Sequence, residues 1–283
     1  IDLSLFGTDE IPRNIKRAIQ AKNLPDIAMT FKAERAPNAR LAWEGKLADV
    51  SDVIEQVKDL YSQDTLTAIN YYNNVEKKIS YYAVPIHQAA NHIHYWKDLL
   101  KQVNRTEKDI PRDWDGFWNF WTEVHDDLRA KHKLNIYGLG LPLSVEAADT
   151  YVTFEHILEA YNVPILDEKG QLQVDNPQVR QGIIKVLEWY AQFYRQGYIP
   201  PDAMHWFNPD NNRRFLNHEL VMTTNQTLSI PASVHQDPDI YDHKLGTLEF
   251  PNKPNGQPMR HLIVSDQAIV FAEYLHQQEA KDF

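Results

Sequence analysis

The sequence contains no cysteine. That excludes disulfide staples and thiolate chemistry, and it suits either the cytosol or an envelope compartment. No apolar run approaches the roughly 18 residues that a membrane-spanning helix needs. The first residues, IDLSLFGTDE, have neither a basic start nor a long apolar stretch, so no signal peptide is read there. A mature secreted chain would look the same. Positive charge is also scarce: 29 Lys and Arg face 39 Asp and Glu, a formal net charge of -10. Nucleic acid reads a basic patch or stripe, so it is not expected as a partner. There is no G-x-S-x-G, no H-E-x-x-H and no Gly-rich phosphate loop. Internal repeats and low-complexity segments are missing too.

What is present suits a folded, soluble chain. Its 283 residues are enough for one large domain or for two lobes with a core each. Hydrophobic residues make up 43% and charged residues 24%, ordinary values for a globular protein. Residues 2–6 alternate polar and apolar and predict a short strand. Pro12 opens a helix with Ile11, Ile15, Ala18 and Ile19 on one face. Residues 24–29 read as a turn and a buried strand. Strand, helix and strand with short connections suggest a parallel sheet. The irregular segment that follows, 31–45, lies past a strand's carboxyl end, where open α/β sheets bind ligands.

Further on, Trp114, Phe117, Trp118, Trp121, Val124 and Leu128 form a helical stripe that reads as core. Asn176-Pro177 starts another helix, with Val179, Ile183, Val186, Leu187, Tyr190 and Phe193 inward. The stretch 81–100, YYAVPIHQAANHIHYWKDLL, organises the chain. Residues 81–85 end a strand, 91–95 begin another, and a helix follows. Between them lie His87, Gln88, Ala89 and Ala90, polar and small without a turn glycine. A hinge between two lobes needs such a segment.

Several stretches together resemble the extracellular solute-binding proteins of bacterial ABC importers, in particular the carbohydrate-binding group that includes maltodextrin-binding proteins. They are Leu24-Pro25-Asp26-Ile27, Ala83-Val84-Pro85 with Tyr95-Trp96-Lys97-Asp98-Leu99-Leu100, Pro111 to Phe117, Asp167 to Pro177, Phe215-Leu216-Asn217 with Val221-Met222-Thr223, and Glu279 to Phe283. Six weak motifs in the right order span nearly the whole chain. Departures concern the ligand more than the fold. Trp96 stands where the family has Asn, and His218 where it has Gly. Asn225-Gln226-Thr227-Leu228 replaces a stacking tryptophan, and Asp266-Gln267 replaces Gly-Gly.

The resemblance implies an α/β fold of the two-lobed periplasmic-binding-protein type, its lobes joined by crossing hinge strands around a ligand cleft, with terminal elements missing. The expected N-terminal lobe is 1–87 with 265–283, the C-terminal lobe 91–260, and the hinges fall near 88–90 and 261–264. The implied function is capture of a carbohydrate or polyol and its delivery to a membrane permease. The chain would act as a monomer on the periplasmic or extracellular side, with no cofactor and no chemistry of its own. Sugars need flat aromatics for their apolar faces and placed hydrogen-bonding groups for their hydroxyls. The candidates are Phe31, Lys32, Glu34 and Arg35 on the first ligand loop, His87, Gln88 and Asn91 at the hinge, Tyr151 at a helix start, Trp206 after Pro200-Pro201, Asn225, and Asp266. Four alternatives stand beside this reading. His87, His92 and His94 invite a zinc site, although no further ligand completes a tetrahedral set. A glycoside-processing enzyme would need a catalytic carboxylate pair that the sequence does not display. A binder of another polar solute, such as a sugar phosphate, would suit Lys32 and Arg35. A pure interaction protein would lack an aromatic-lined cleft.

Overall fold

A computed structural model describes residues 2–7, 10–30, 37–132, 135–167, 171–272 and 276–283. The chain divides into two compact units, residues 1–89 with 263–283 (unit 1) and residues 90–262 (unit 2). In chain order the elements are α1 (Ile11–Ala21), β1 (Ile27–Thr30), α2 (Asn38–Trp43), α3 (Ser51–Val57), α4 (Gln63–Ala68), β2 (Asn70–Asn73), β3 (Lys78–Tyr81) and β4 (Val84–Ala90). Then come β5 (His92–Trp96), α5 (Lys97–Gln102), α6 (Trp114–His132), β6 (Tyr137–Gly140), α7 (Ala148–Ala160), α8 (Pro177–Arg195), α9 (Asp210–Leu216), β7 (Leu220–Asn225), α10 (Ser229–Val234) and β8 (Leu245–Leu248). The chain returns through β9 (Ile263–Val270) to α11 (Gln277–Asp282). None of the described helices is long and apolar enough to cross a membrane.

In unit 1 the sheet order is β1-β9-β4, and β1 pairs antiparallel with β9 from Ile27↔Val270 to Thr30↔Gln267. The parallel start suggested by the sequence does not form. Residues 2–6 make no ladder and are exposed, Leu5 at 83%, because no neighbouring strand takes their backbone groups or apolar side chains. Helix α1 forms as its pattern predicts: Pro12 sits in its first turn, Ile15 is buried, and Lys22 ends it in the left-handed region at φ 52°. Strand β4 runs through the polar stretch 87–90 to Ala90, so that stretch is strand and not a gap. The pieces 261–264 and 268–271, read separately in the sequence, lie largely within one strand, β9. The core of unit 1 gathers Ile15, Leu41, Leu47, Ile54, Ile69 and Phe271. Asp49 ties α3 to β3, accepting from Ser51 N at 2.9 Å, Lys78 Nζ at 2.7 Å and Ser80 Oγ at 2.7 Å.

Unit 2 is built on a four-stranded mixed sheet in the order β6-β7-β5-β8. β6 runs parallel to β7, while β5 is antiparallel to both β7 and β8. Asp113 accepts the Gly116 amide at 2.8 Å at the start of α6. The α6 stripe from Trp114 to Leu128 is buried as its spacing predicts. Each such side chain contributes about 1.5–3 kcal/mol on burial. In α8, Asn176 accepts the Gln178 amide at 2.9 Å, as the Asn-Pro start predicts. Leu187 is a correction: it is 53% exposed, and Trp189 is buried instead. The buried stripe Val186, Trp189, Tyr190, Phe193 follows i, i+3, i+4, i+7, and Leu187 falls one position off it.

Two departures from the family pattern meet in unit 2. The rings of Trp96 and His218 stack at 3.9 Å with an interplanar angle of 17°. His218 occupies the left-handed region at φ 57°, where glycine is usual after a helix. Its Nε2 lies 3.5 Å from Asp98 Oδ2. The last three residues of unit 2 are anchored one by one. Arg260 makes a two-pronged bond to Glu159 at 2.9 and 2.8 Å. His261 Nε2 lies 3.4 Å from Glu249 Oε2, and the Leu262 amide donates to His156 Nε2 at 3.4 Å.

Candidate functional site

Each unit carries a cluster of polar side chains at strand ends, and the two are described separately. In unit 1, Gln267 of β9 is the centre. It is buried, and its Oε1 accepts from Asn38 Nδ2 at 2.9 Å and from the Tyr71 hydroxyl at 3.0 Å. Its Nε2 donates to Ala68 O at 3.2 Å. Asn38 Nδ2 also reaches Thr30 Oγ1 at 2.9 Å, and that hydroxyl donates to Gln267 O at 3.0 Å. Thr30 ends β1 and Asn38 begins α2, so the network fixes both flanks of residues 31–36. Asn38 Oδ1 is buried without a partner among the described residues. Beside this network, His87 of β4 is exposed, and its Nδ1 lies 3.1 Å from Asp266 Oδ2. Gln88 is also exposed and donates to Thr65 Oγ1.

In unit 2 the centre is Asp149, in the first turn of α7 and 5% exposed. Its carboxylate accepts from Asn211 Nδ2 at 3.0 Å, Gln226 Nε2 at 3.0 Å and Asn225 Nδ2 at 3.4 Å. A negative side chain at a helix start is favoured by the positive end of the helix dipole. Asn225 Nδ2 also donates to Asn212 Oδ1 at 2.6 Å, and Asn225 Oδ1 accepts the Thr227 amide and hydroxyl, both at 2.8 Å. Asn208 Oδ1 accepts the Ala148 amide at 2.6 Å. One network thus ties together the starts of α7 and α9 and the loop after β7.

Of the predicted site residues, Phe31, Lys32, Glu34 and Arg35 lie outside the described residues. His87 and Asp266 come together, with Gln88 one residue along β4. Tyr151 keeps a partly exposed ring, its hydroxyl held on Val145 O at 2.9 Å. Three others are buried in unit 2. Trp206 is 2% exposed, packed in the core with the Arg214 guanidinium 5.4 Å from its ring centroid. Asn91 is buried and donates to Thr153 Oγ1 at 3.2 Å, which bonds Thr224 Oγ1 at 2.9 Å; it joins β5, α7 and β7. Asn225 is buried and spends its amide inside the network above. Amides suited to a sugar hydroxyl are equally suited to buried backbone, and here the fold uses them. Sequence reasoning missed Gln267, Asn38 and Asp149 as network centres and Phe207 as the exposed ring. The replaced Gly-Gly at 266–267 and the amide-rich run 208–212 were the signals that pointed near them.

Among the described residues no three His, Asp or Glu side chains come together to hold an ion. The His92 and His94 rings lie 6.3 Å apart, and burial pushes both below the usual histidine pKa, His94 to about 4.

Residues 1–283 match the family described as bacterial extracellular solute-binding protein, and the chain belongs to it. None of the curated protein sequences matches it. Solved structures that resemble it include an ABC transporter solute-binding protein from Thermotoga lettingae bound to α-D-tagatose, at 18% identity and a TM-score of 0.80, covering 99% of this chain and 67% of that one. A maltose-bound protein of T. maritima matches at 18% identity and TM-score 0.75, with 97% and 64% covered. A solute-binding protein from Agrobacterium vitis with bound D-mannitol matches at 16% and 0.73, with 100% and 64% covered. The chain thus spans about two thirds of the length of these proteins. At such identities the likeness carries the fold, the mixed α/β arrangement of sugar-binding proteins.

Proposed function

We propose that this chain is the substrate-binding subunit of an ABC importer. It captures a carbohydrate or polyol outside the cytoplasmic membrane and delivers it to the permease. It acts as a monomer and performs no chemistry. The observation that carries the reading is the family match along the whole chain. Support comes from the bound tagatose, maltose and mannitol of the similar structures. We assign His87, Gln88, Asp266 and Tyr151, and also Phe31, Lys32, Glu34 and Arg35, to ligand contact. The segments 88–90 and 261–264 serve as hinges.

A thermal-shift screen of the protein against D-tagatose, D-mannitol, maltose, laminaribiose and glucose 6-phosphate tests this. A ligand at a hundred times its Kd stabilises the folded state by about 2.7 kcal/mol, an easily resolved shift. Capture of a carbohydrate or polyol is refuted if only the phosphate, or none of the five, shifts the melting temperature.

A further inference from the structure

His87 and Asp266 lie on neighbouring strands of the unit 1 sheet, β4 and β9. The His87 side chain is 55% exposed and that of Asp266 17%, and His87 Nδ1 lies 3.1 Å from Asp266 Oδ2. Ion pairs at a protein surface are commonly loose and contribute little. This pair differs in how firmly its strands are held. Gln267, the residue after Asp266, is buried; its side chain bonds Asn38 Nδ2, the Tyr71 hydroxyl and Ala68 O, and its carbonyl accepts from Thr30 Oγ1. On β4, Pro85 O accepts from the Tyr61 hydroxyl at 3.1 Å, and Gln88 donates to Thr65 Oγ1, so His87 sits between two tied residues. A carboxylate only accepts hydrogen bonds. The ring nitrogen facing it therefore carries the hydrogen, and in the neutral ring Nε2 is left with a lone pair. Among the described residues Nε2 has no partner.

We propose that Asp266 is a positioning residue that acts through His87, fixing the ring hydrogen on Nδ1 so that Nε2 accepts a hydroxyl hydrogen of the bound carbohydrate or polyol. The tautomer is then set before the ligand arrives, and no rearrangement of the ring is needed on binding. The proposal rests on the capture reading above and separates the roles of two residues assigned there.

Two measurements test it. Nitrogen NMR of the imidazole rings at neutral pH, with the His87 signals identified by their loss in His87→Gln, should find the hydrogen on Nδ1 in the unaltered protein. Asp266→Asn keeps the size of the side chain but can turn its amide toward the ring, and should move the hydrogen to Nε2. Calorimetric titration then uses whichever of D-tagatose, maltose and D-mannitol binds most tightly. His87→Ala and Asp266→Asn should each weaken binding about tenfold. The double variant should bind no worse than His87→Ala alone, because Asp266 has nothing left to act on. His87 is exposed and Asn matches Asp in size, so the melting temperatures should stay close to the original. The proposal falls, and capture stands, if the unaltered ring carries its hydrogen on Nε2. The same holds if His87→Ala binds as tightly as the original, or if the two losses multiply to about a hundredfold. Binding of none of the three ligands overturns the proposal together with capture.

Discussion

Acid should unfold unit 2 before unit 1. His94, His125 and His156 are 0%, 4% and 0% exposed, and burial pushes each from the ordinary value near 6.5 down to about 4. Their neutral rings are built into hydrogen bonds: His94 Nδ1 lies 2.9 Å from Thr247 Oγ1, and His125 Nδ1 accepts the Gly138 amide at 3.0 Å. Between pH 6.5 and 4 the unfolded chain binds more protons than the folded one. Stability is therefore complete above the unfolded value and lost as the pH falls toward the folded one. At pH 5 the loss is about 2 kcal/mol per histidine and about 6 kcal/mol for the three, on the scale of a whole domain's stability. For a unit of this size that lowers the melting temperature by roughly 12–24 °C. Unit 1 holds only His87 and His276, both exposed. Its Asp49 carboxylate, pushed up by partial burial but held further down by Lys78, Ser51 and Ser80, keeps its bonds throughout this range. Tryptophan fluorescence separates the units, since Trp43 lies in unit 1 and the other six of the seven lie in unit 2. Urea unfolding followed by this signal should shift to much lower urea at pH 5.0 than at pH 7.5. Replacing one of the three histidines by Gln should remove about a third of the difference. Equal midpoints at the two pH values would refute the reasoning.

Two further outcomes follow from the packing of unit 2. Asp149→Ala strands the side-chain amides of Asn211, Asn225 and Gln226 and should cost about 3 kcal/mol in urea unfolding at pH 7.5. Both His218→Ala and His218→Gly lose the stack on Trp96, but alanine keeps the left-handed strain, so the Ala variant should be less stable than the Gly variant by about 1 kcal/mol; equal stabilities would mean that position 218 relaxes once the ring is gone.

Helices were the most legible part of the sequence. The α6 stripe and the Asn176-Pro177 start carry their own periodicity and caps, so local chemistry decides them. The segment 2–6 shows the opposite case. Its alternation suits a strand, but a strand needs a neighbour, and partners cannot be read from local pattern. The polar stretch 87–90 looked like an interruption because its side chains are small or hydrophilic, yet its backbone continues a ladder that composition does not encode. After Pro200-Pro201 no period fixes which of Trp206 and Phe207 faces inward, and the larger ring went to the core. Asn91 and Asn225 were chosen for chemistry that a ligand and a buried backbone demand alike.

The anchoring of Arg260, His261 and Leu262 on Glu159, Glu249 and His156 has a consequence for the connection at Ile263. Ordering a free backbone costs roughly 1–2 kcal/mol for every residue that loses its freedom. These bonds offset part of that cost within unit 2, so the chain enters β9 from a segment already held in place.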